Sequence, residues 1–242
     1  MSVSHVEIAM PDGTARALLA QPPGGGNGPP VLFFMDAMGL RPALEEMVGR
    51  IAAEGYTVLA PDVFYRSQPY GPFDPKTIFS DKEALKALGR MNRAFANALF
   101  EQDSRYYIDA ARKHAGEGAV RTVGYCMGGR CALMLAGHHP DEVSAAASFH
   151  GGELAPDKED SPHRLADRMK AKIYIGVAET DAFFEGEEEA RLAGALRGGR
   201  VNHVIETFPG TQHGFAVPDL PVFDQRAADS HWDRLFTLFR LD

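Results

Sequence analysis

Residues 123–129 read VGYCMGG, a cysteine set in the pattern G-x-C-x-G-G between a strand-like run and a helix-like one. Gly124 and Gly128 each stand two positions from Cys126, where small side chains permit the sharp strand-to-helix turn that pushes a nucleophile into the open. A thiol held there can attack a carbonyl carbon if a neighbouring base ionises it and a third group orients that base. Taken alone, the run is equally a buried cysteine beside a close helix–strand contact. The chain has two cysteines, and the other, Cys131, falls five positions on, along the helix that the turn opens, where it points away and packs.

Two further loops supply a base and an acid. Asp181 lies in AETDAFF just past one strand-like run, and His213 lies in PGTQHGF just past the next. Singly, the aspartate is an ordinary turn or helix cap and the histidine an ordinary solvated loop residue. Together they give the chain order nucleophile, acid, histidine at successive strand ends, which is the order of an α/β-hydrolase triad.

The elements needed to position such loops are present. HVEIAM and RALLA flank the turn PDG as a hairpin, and QPPGGGNGPP follows as a surface loop. PVLFFMDAMG is a continuous apolar run, and RPALEEMVGRIAAEGY spaces its apolar residues as a helix does. Strand-like YTVLAPD comes next, then a long helical region from about Asp81 to His114. After it AVRTVGY, SAAASFH, AKIYIGVAE and VNHVIETF read as strands. GGRCALMLAGHH, EEEARLAGALR and a terminal HWDRLFTLFRLD read as helices. This alternation predicts an α/β protein with a mostly parallel sheet, helices on both faces and ligands at the carboxyl ends of the strands. Residues 1–242 are expected to form one domain without a separate lid, a length suited to one substantial core.

Composition narrows the partners. A formal charge of −8 with scattered lysines and arginines argues against nucleic acid. The N-terminal MSVSHVEIAMPDG lacks a basic start and an apolar run, and no segment reaches the ~18 apolar residues of a membrane span, so a cytoplasmic protein with reduced thiols is expected. No residues have zinc-ligand spacing, and neither metal nor cofactor is expected. No sequence feature fixes an oligomeric state. EGEEEA is read as an acidic helix start, and His138 and His139 as the end of a helix before Pro140. His150, in SFHGG at a strand end, is read as a satisfied loop histidine ahead of one lining the site.

The runs MDAMG, YTVLAPD, VGYCMGG, ETD and GTQHGF stand at separations that resemble the dienelactone hydrolase family of α/β-hydrolases across nearly the whole chain. The resemblance implies Cys126 as nucleophile, His213 as general base and then acid, and Asp181 as its orienter. It also implies oxyanion donors at the backbone N–H groups of Met127 and Ala37, and a small ester or lactone as substrate. Two departures are visible. Asp36 stands where relatives carry a glutamate that meets the resting thiol, and the two arginines that hold the dienelactone carboxylate are missing. Val217 occupies one of those places, and Arg66 in FYRSQ is the one cation near an earlier strand end. Met38, Phe64, Tyr65, Phe79, Phe183, Phe184 and Phe215 are the apolar candidates for a hydrophobic pocket. A different reading is a non-catalytic, redox-sensing thiol on a hydrolase scaffold, but a sensor has no need of an acid that fixes a histidine tautomer.

Overall fold

A computed structural model describes residues 3–24, 28–71, 73–78 and 80–241, and divides them into two compact units, residues 1–118 and 119–242. Phe79 lies outside the described residues.

In the first unit β1 (Val3–Met10) and β2 (Gly13–Ala20) form the antiparallel hairpin expected around PDG. Here β2 pairs antiparallel with β4 (Thr57–Pro61), and β4 runs parallel to β3 (Pro30–Phe34). Every residue of β3 and β4 is buried, which is why both read as unbroken apolar runs instead of alternating ones. Between them α1 (Pro42–Ala53) starts on a proline, whose missing N–H costs nothing in a first turn, and buries Leu44, Met47, Val48 and Ile51.

The long helical region is two helices. One is α2 (Lys82–Ala94), capped by the Asp81 carboxylate accepting from the N–H groups of Glu83 and Ala84, and the other is α3 (Asn97–Ala115). No proline or glycine marks the break. Phe95 takes an extended backbone there, and its ring meets Phe64 at 5.7 Å and Phe100 at 6.2 Å between centroids. Aromatic packing worth ~0.5–1.5 kcal/mol per pair beyond area burial thus competes with helix continuation.

The second unit holds β5 (Val120–Tyr125), α4 (Met127–His138), β6 (Val143–Phe149) and β7 (Lys172–Thr180), followed by α5 (Gly186–Gly198), β8 (His203–Gln212) and α6 (Gln225–Arg240). Its four strands pair in chain order and all in parallel. Parallel strands in successive register finish on the same edge, so the residues one past each end share that edge. Those residues are Cys126, His150, Asp181 and His213. Strand β8 runs four residues beyond the VNHVIETF run, through Pro209 and Gly210, because a register shift between Ala178 and Thr180 of β7 absorbs the irregularity. The amphipathic α6 begins earlier than HWDRLFTLFRLD, at Gln225, where Asp224 accepts from the N–H of Ala227. It anchors the sheet through Tyr125, whose hydroxyl lies 3.0 Å from His231 Nε2.

Taken together the strands make an eight-stranded, mostly parallel sheet accompanied by helices. Among the described residues no helix is long and apolar enough to cross a membrane.

Candidate active site

Cys126 occupies the turn between β5 and α4 with φ 55 and ψ −120, a conformation rarely adopted by a residue with a side chain. The glycines of the motif make it possible. A Cβ on Gly124 would lie 1.8 Å from the carbonyl oxygen of Gly128, and one on Gly129 would lie 2.2 Å from Ser148 Oγ and 3.0 Å from the Cα of Gly151. Bonds from the next strand end fix the turn from both sides: Cys126 donates its N–H to Phe149 O at 3.2 Å, and Gly152 donates to Cys126 O at 3.3 Å. Cys126 is half-buried and leads into the first turn of α4, where unpaired N–H groups and the helix dipole favour negative charge. Cys131, by contrast, is fully buried, and burial pushes its thiol up to about 12.

Asp181 and His213 meet. Both carboxylate oxygens lie 2.8–2.9 Å from His213 Nδ1, and the N–H of Phe183 donates to Asp181 Oδ1 at 2.9 Å. His213 also donates its backbone N–H to Thr180 O, which ties its loop to the end of β7. With Nδ1 committed to a carboxylate, the proton sits there in the neutral ring and Nε2 is left as the working nitrogen. Nε2 is buried and has no well-aligned hydrogen-bond partner, and the Cys126 sulfur acts on the ring chiefly through charge. Burial alone would lower the His213 pKa, but a negative charge on Cys126 and the bond to Asp181 outweigh it and raise it to about 10.

His150 was not recognised as a site residue from its sequence context, and its reading as a satisfied loop histidine is corrected here. Its ring is buried, neither ring nitrogen has a hydrogen-bond partner, and its centroid lies 5.2 Å from that of His213. A buried imidazole within van der Waals reach of another is invisible in SFHGG, because burial is set by Phe215 from the loop after β8 and Tyr125 from β5.

Phe183 is exposed and lays its ring 4.7 Å from the His213 ring, whereas Phe184, Phe215 and Val217 are buried. In the first unit Met38, Phe64 and Tyr65 are buried, and Ala37 lies in the loop that follows β3. Asp36 in that loop binds Arg41 through both oxygens at 2.7 Å and accepts from the N–H of Met38 at 2.9 Å, all out of solvent. Arg41, five residues away and nearly fully buried, is a partner the sequence did not disclose. Arg66 binds Asp103 through two nitrogens at 2.6 and 2.9 Å and Asp12 at 2.8 Å, and the Tyr65 hydroxyl donates to Asp103 at 3.2 Å. Arg130 of α4, the helix that Cys126 leads into, pairs with Glu153. Among the described residues no group of three or more His, Cys, Asp or Glu side chains is placed to hold a metal ion.

Residues 15–241 match the model of the dienelactone hydrolase family, and the chain belongs to that family. A provisionally assigned carboxymethylenebutenolidase of Synechocystis is 25% identical over 93% of this chain and 90% of its own. One from Azospirillum brasilense, equally provisional, is 26% identical over 97% of each. Among solved structures, a provisionally assigned dienelactone hydrolase from Klebsiella pneumoniae superposes with a TM-score of 0.81 at 22% identity, covering all of both chains. The dienelactone hydrolase-like promiscuous phosphotriesterase P91 from metagenomic libraries does so with 0.76 at 21% identity, over all of this chain and 99% of that one. The fold is therefore that of an α/β-hydrolase, and the protein is a dienelactone hydrolase-like hydrolase.

The raised pKa of His213 has a fixed sign for stability. The folded chain holds the proton more tightly than the unfolded one, so the stabilisation is complete below 6.5 and is lost as pH climbs toward about 10. In Cys126→Ala the sulfur charge is gone and burial opposes Asp181 alone, so the His213 ring should titrate at lower pH than in the parent. Ring-proton NMR reads this directly, and an unchanged midpoint would assign the whole effect to Asp181.

Proposed function

We propose that the protein hydrolyses small, uncharged esters or lactones through Cys126, His213 and Asp181, with an acyl-thioester intermediate and without a metal or cofactor. The observation that carries this reading is the pair of close contacts from Asp181 to His213 Nδ1, in the same compact unit as the strained cysteine turn. Such a contact fixes one tautomer and leaves Nε2 to move protons, which a redox-sensing thiol would not require.

The reaction divides in two. The Cys126 thiolate adds to the carbonyl carbon, and the resulting oxyanion is met by the N–H of Met127 in the first turn of α4 and, on the family resemblance, by that of Ala37. The carbon–oxygen bond then breaks as the leaving oxygen takes the proton from His213 Nε2, giving the alcohol and the thioester. Water adds to the thioester as Nε2 takes its proton. The sulfur leaves as thiolate, and the carboxylic acid is released.

Substrate charge follows from the cations and the walls. Arg41, Arg66 and Arg130 each face a carboxylate of this chain, and Val217 is buried where the family resemblance would place an arginine. Phe183 offers an exposed apolar surface beside His213. A substrate carboxylate taken from water without a partner costs several kcal/mol, and a net charge of −8 does nothing to attract it. Both compact units are proposed to serve one catalytic domain. Two unbridged cysteines accord with a cytoplasmic setting.

Cys126→Ala and His213→Ala should each reduce turnover of p-nitrophenyl acetate to below about one hundredth of the parent's, since residues acting as a unit are not additive. Activity above that level in a folded Cys126→Ala protein would remove the cysteine from the mechanism. For a neutral and an anionic ester matched in size and leaving group, kcat/KM should favour the neutral one by at least about tenfold, the equivalent of ~1.4 kcal/mol. A higher kcat/KM for the anionic ester would mean that one of the paired arginines is released to bind it.

A further inference from the structure

His150 is the one residue past a parallel strand end in the second unit that the proposed reaction leaves without a role. Its backbone sits at φ 38, and the chain is held there by its N–H donating to Gly176 O at 2.7 Å. The next residue, Gly151, is pinned because a Cβ there would lie 2.2 Å from Ser148 Oγ. The side chain is thereby directed into the protein. It packs edge-to-face on His213, with ring centroids 5.2 Å apart, and edge-to-face on Phe215 at 5.4 Å, with Tyr125 tilted against it at 5.9 Å.

A phenylalanine would fill such a space at no polar cost. An imidazole brings one donor and one acceptor nitrogen, and here both are buried and unpartnered. Strained backbone and unsatisfied polarity are each unfavourable, and they persist together where a function holds them. Of the four non-glycine residues with positive φ among those described, Cys126, His150 and Glu153 lie along the chain segments that form the turn and its bracing loop.

The groups facing His150 decide what it can do. They are His213 from the loop after β8, His231 from α6 and the Tyr125 ring from β5, whose hydroxyl is bonded to His231. Burial holds the His150 ring neutral, and its two histidine neighbours add to that. The neutral ring carries one free nitrogen lone pair, and the ring of the general base is one of its neighbours. An ionised Cys126 sulfur would balance the charge of His213. Once the sulfur bears an acyl group, that balance is lost, while the ring must still pass through a charged state in protonating the leaving oxygen and in deprotonating water.

We propose that His150 is a positioning residue for the general base: its uncharged imidazole braces the His213 ring against Asp181 and offers that ring a nitrogen lone pair whenever it is charged without the thiolate. The inference rests on the proposed role of His213 as the base. Loss of the lone pair should make the charged ring less stable, so His213 gives up its proton at lower pH and kcat suffers more than KM.

The test places His150→Phe and His150→Gln in the Cys126→Ala protein and follows the His213 ring by NMR. With phenylalanine the His213 midpoint should fall by about 0.5 in pH or more. Glutamine, which keeps a neutral acceptor, should hold it closer to the value with histidine. In the parent background His150→Phe should lower kcat on a neutral ester by about tenfold with KM within about twofold, and should move the acid limb of the kcat profile to lower pH. Equal His213 midpoints in all three proteins, or equal losses of kcat in the phenylalanine and glutamine variants, would overturn the proposal. Should His150→Phe not fold, the ring-nitrogen resonances of His150 in Cys126→Ala decide the matter: they should move as His213 titrates, and resonances indifferent to it would overturn the proposal. Because the midpoints are read without any ester, failure to hydrolyse esters would sink the proposed activity and leave the coupling between the two rings as measured.

Discussion

The turn at Cys126 constrains everything around it. A residue with a side chain is held at φ 55, and the turn survives because Gly124 and Gly129 have none. The loop after β6 then packs beneath the turn and donates Gly152 N–H to the Cys126 carbonyl, while the cysteine's own N–H is taken by Phe149. Any side chain at Gly124 or Gly129 would meet backbone or Ser148 at 1.8–2.2 Å, so relief would come by moving the nucleophile. Backbone strain of ~1–3 kcal/mol at such a residue is maintained by the register of β5 with β6, which is buried along almost its whole length.

That geometry sets the electrostatics. Burial disfavours the charged form of His213, while the bond from Asp181 to Nδ1 and a charge on the Cys126 sulfur favour it and outweigh burial. Asp181 is held for this by the N–H of Phe183 and by its own place one residue beyond β7. The same low-dielectric surroundings that strengthen the Asp181 contact keep His150 neutral. Two imidazoles with centroids 5.2 Å apart can thus differ in charge, one made cationic by partners and the other left neutral by lacking them.

Much of this was legible in the residues. Continuous apolar runs gave the buried parallel strands, and Gly124, Cys126 and Gly128 gave the turn, because both depend on local chemistry. The positions of Asp181 and His213 followed from strand ends. What escaped depends on contacts distant in sequence. The break at Phe95 has no proline or glycine to announce it and comes from rings at Phe64 and Phe100. The extension of β8 through Pro209 rests on a bulge in its neighbour. Asp36 could be placed by motif, but its bidentate hold on Arg41 could not, since a buried arginine five residues on looks like any surface cation in sequence. His150 was misjudged for the same reason: a histidine between phenylalanine and glycine carries no mark of burial.

The account turns on the sulfur of Cys126 forming a covalent bond to the acyl group. Rapid acid quenching of the protein during turnover of p-nitrophenyl acetate, followed by peptide mass analysis, tests that bond directly. The account predicts an acetyl group on the peptide carrying Cys126, formed within the first turnover and lost as substrate is exhausted. Steady turnover with Cys126 unmodified at every time point, or with the acetyl group on a different side chain, would contradict it.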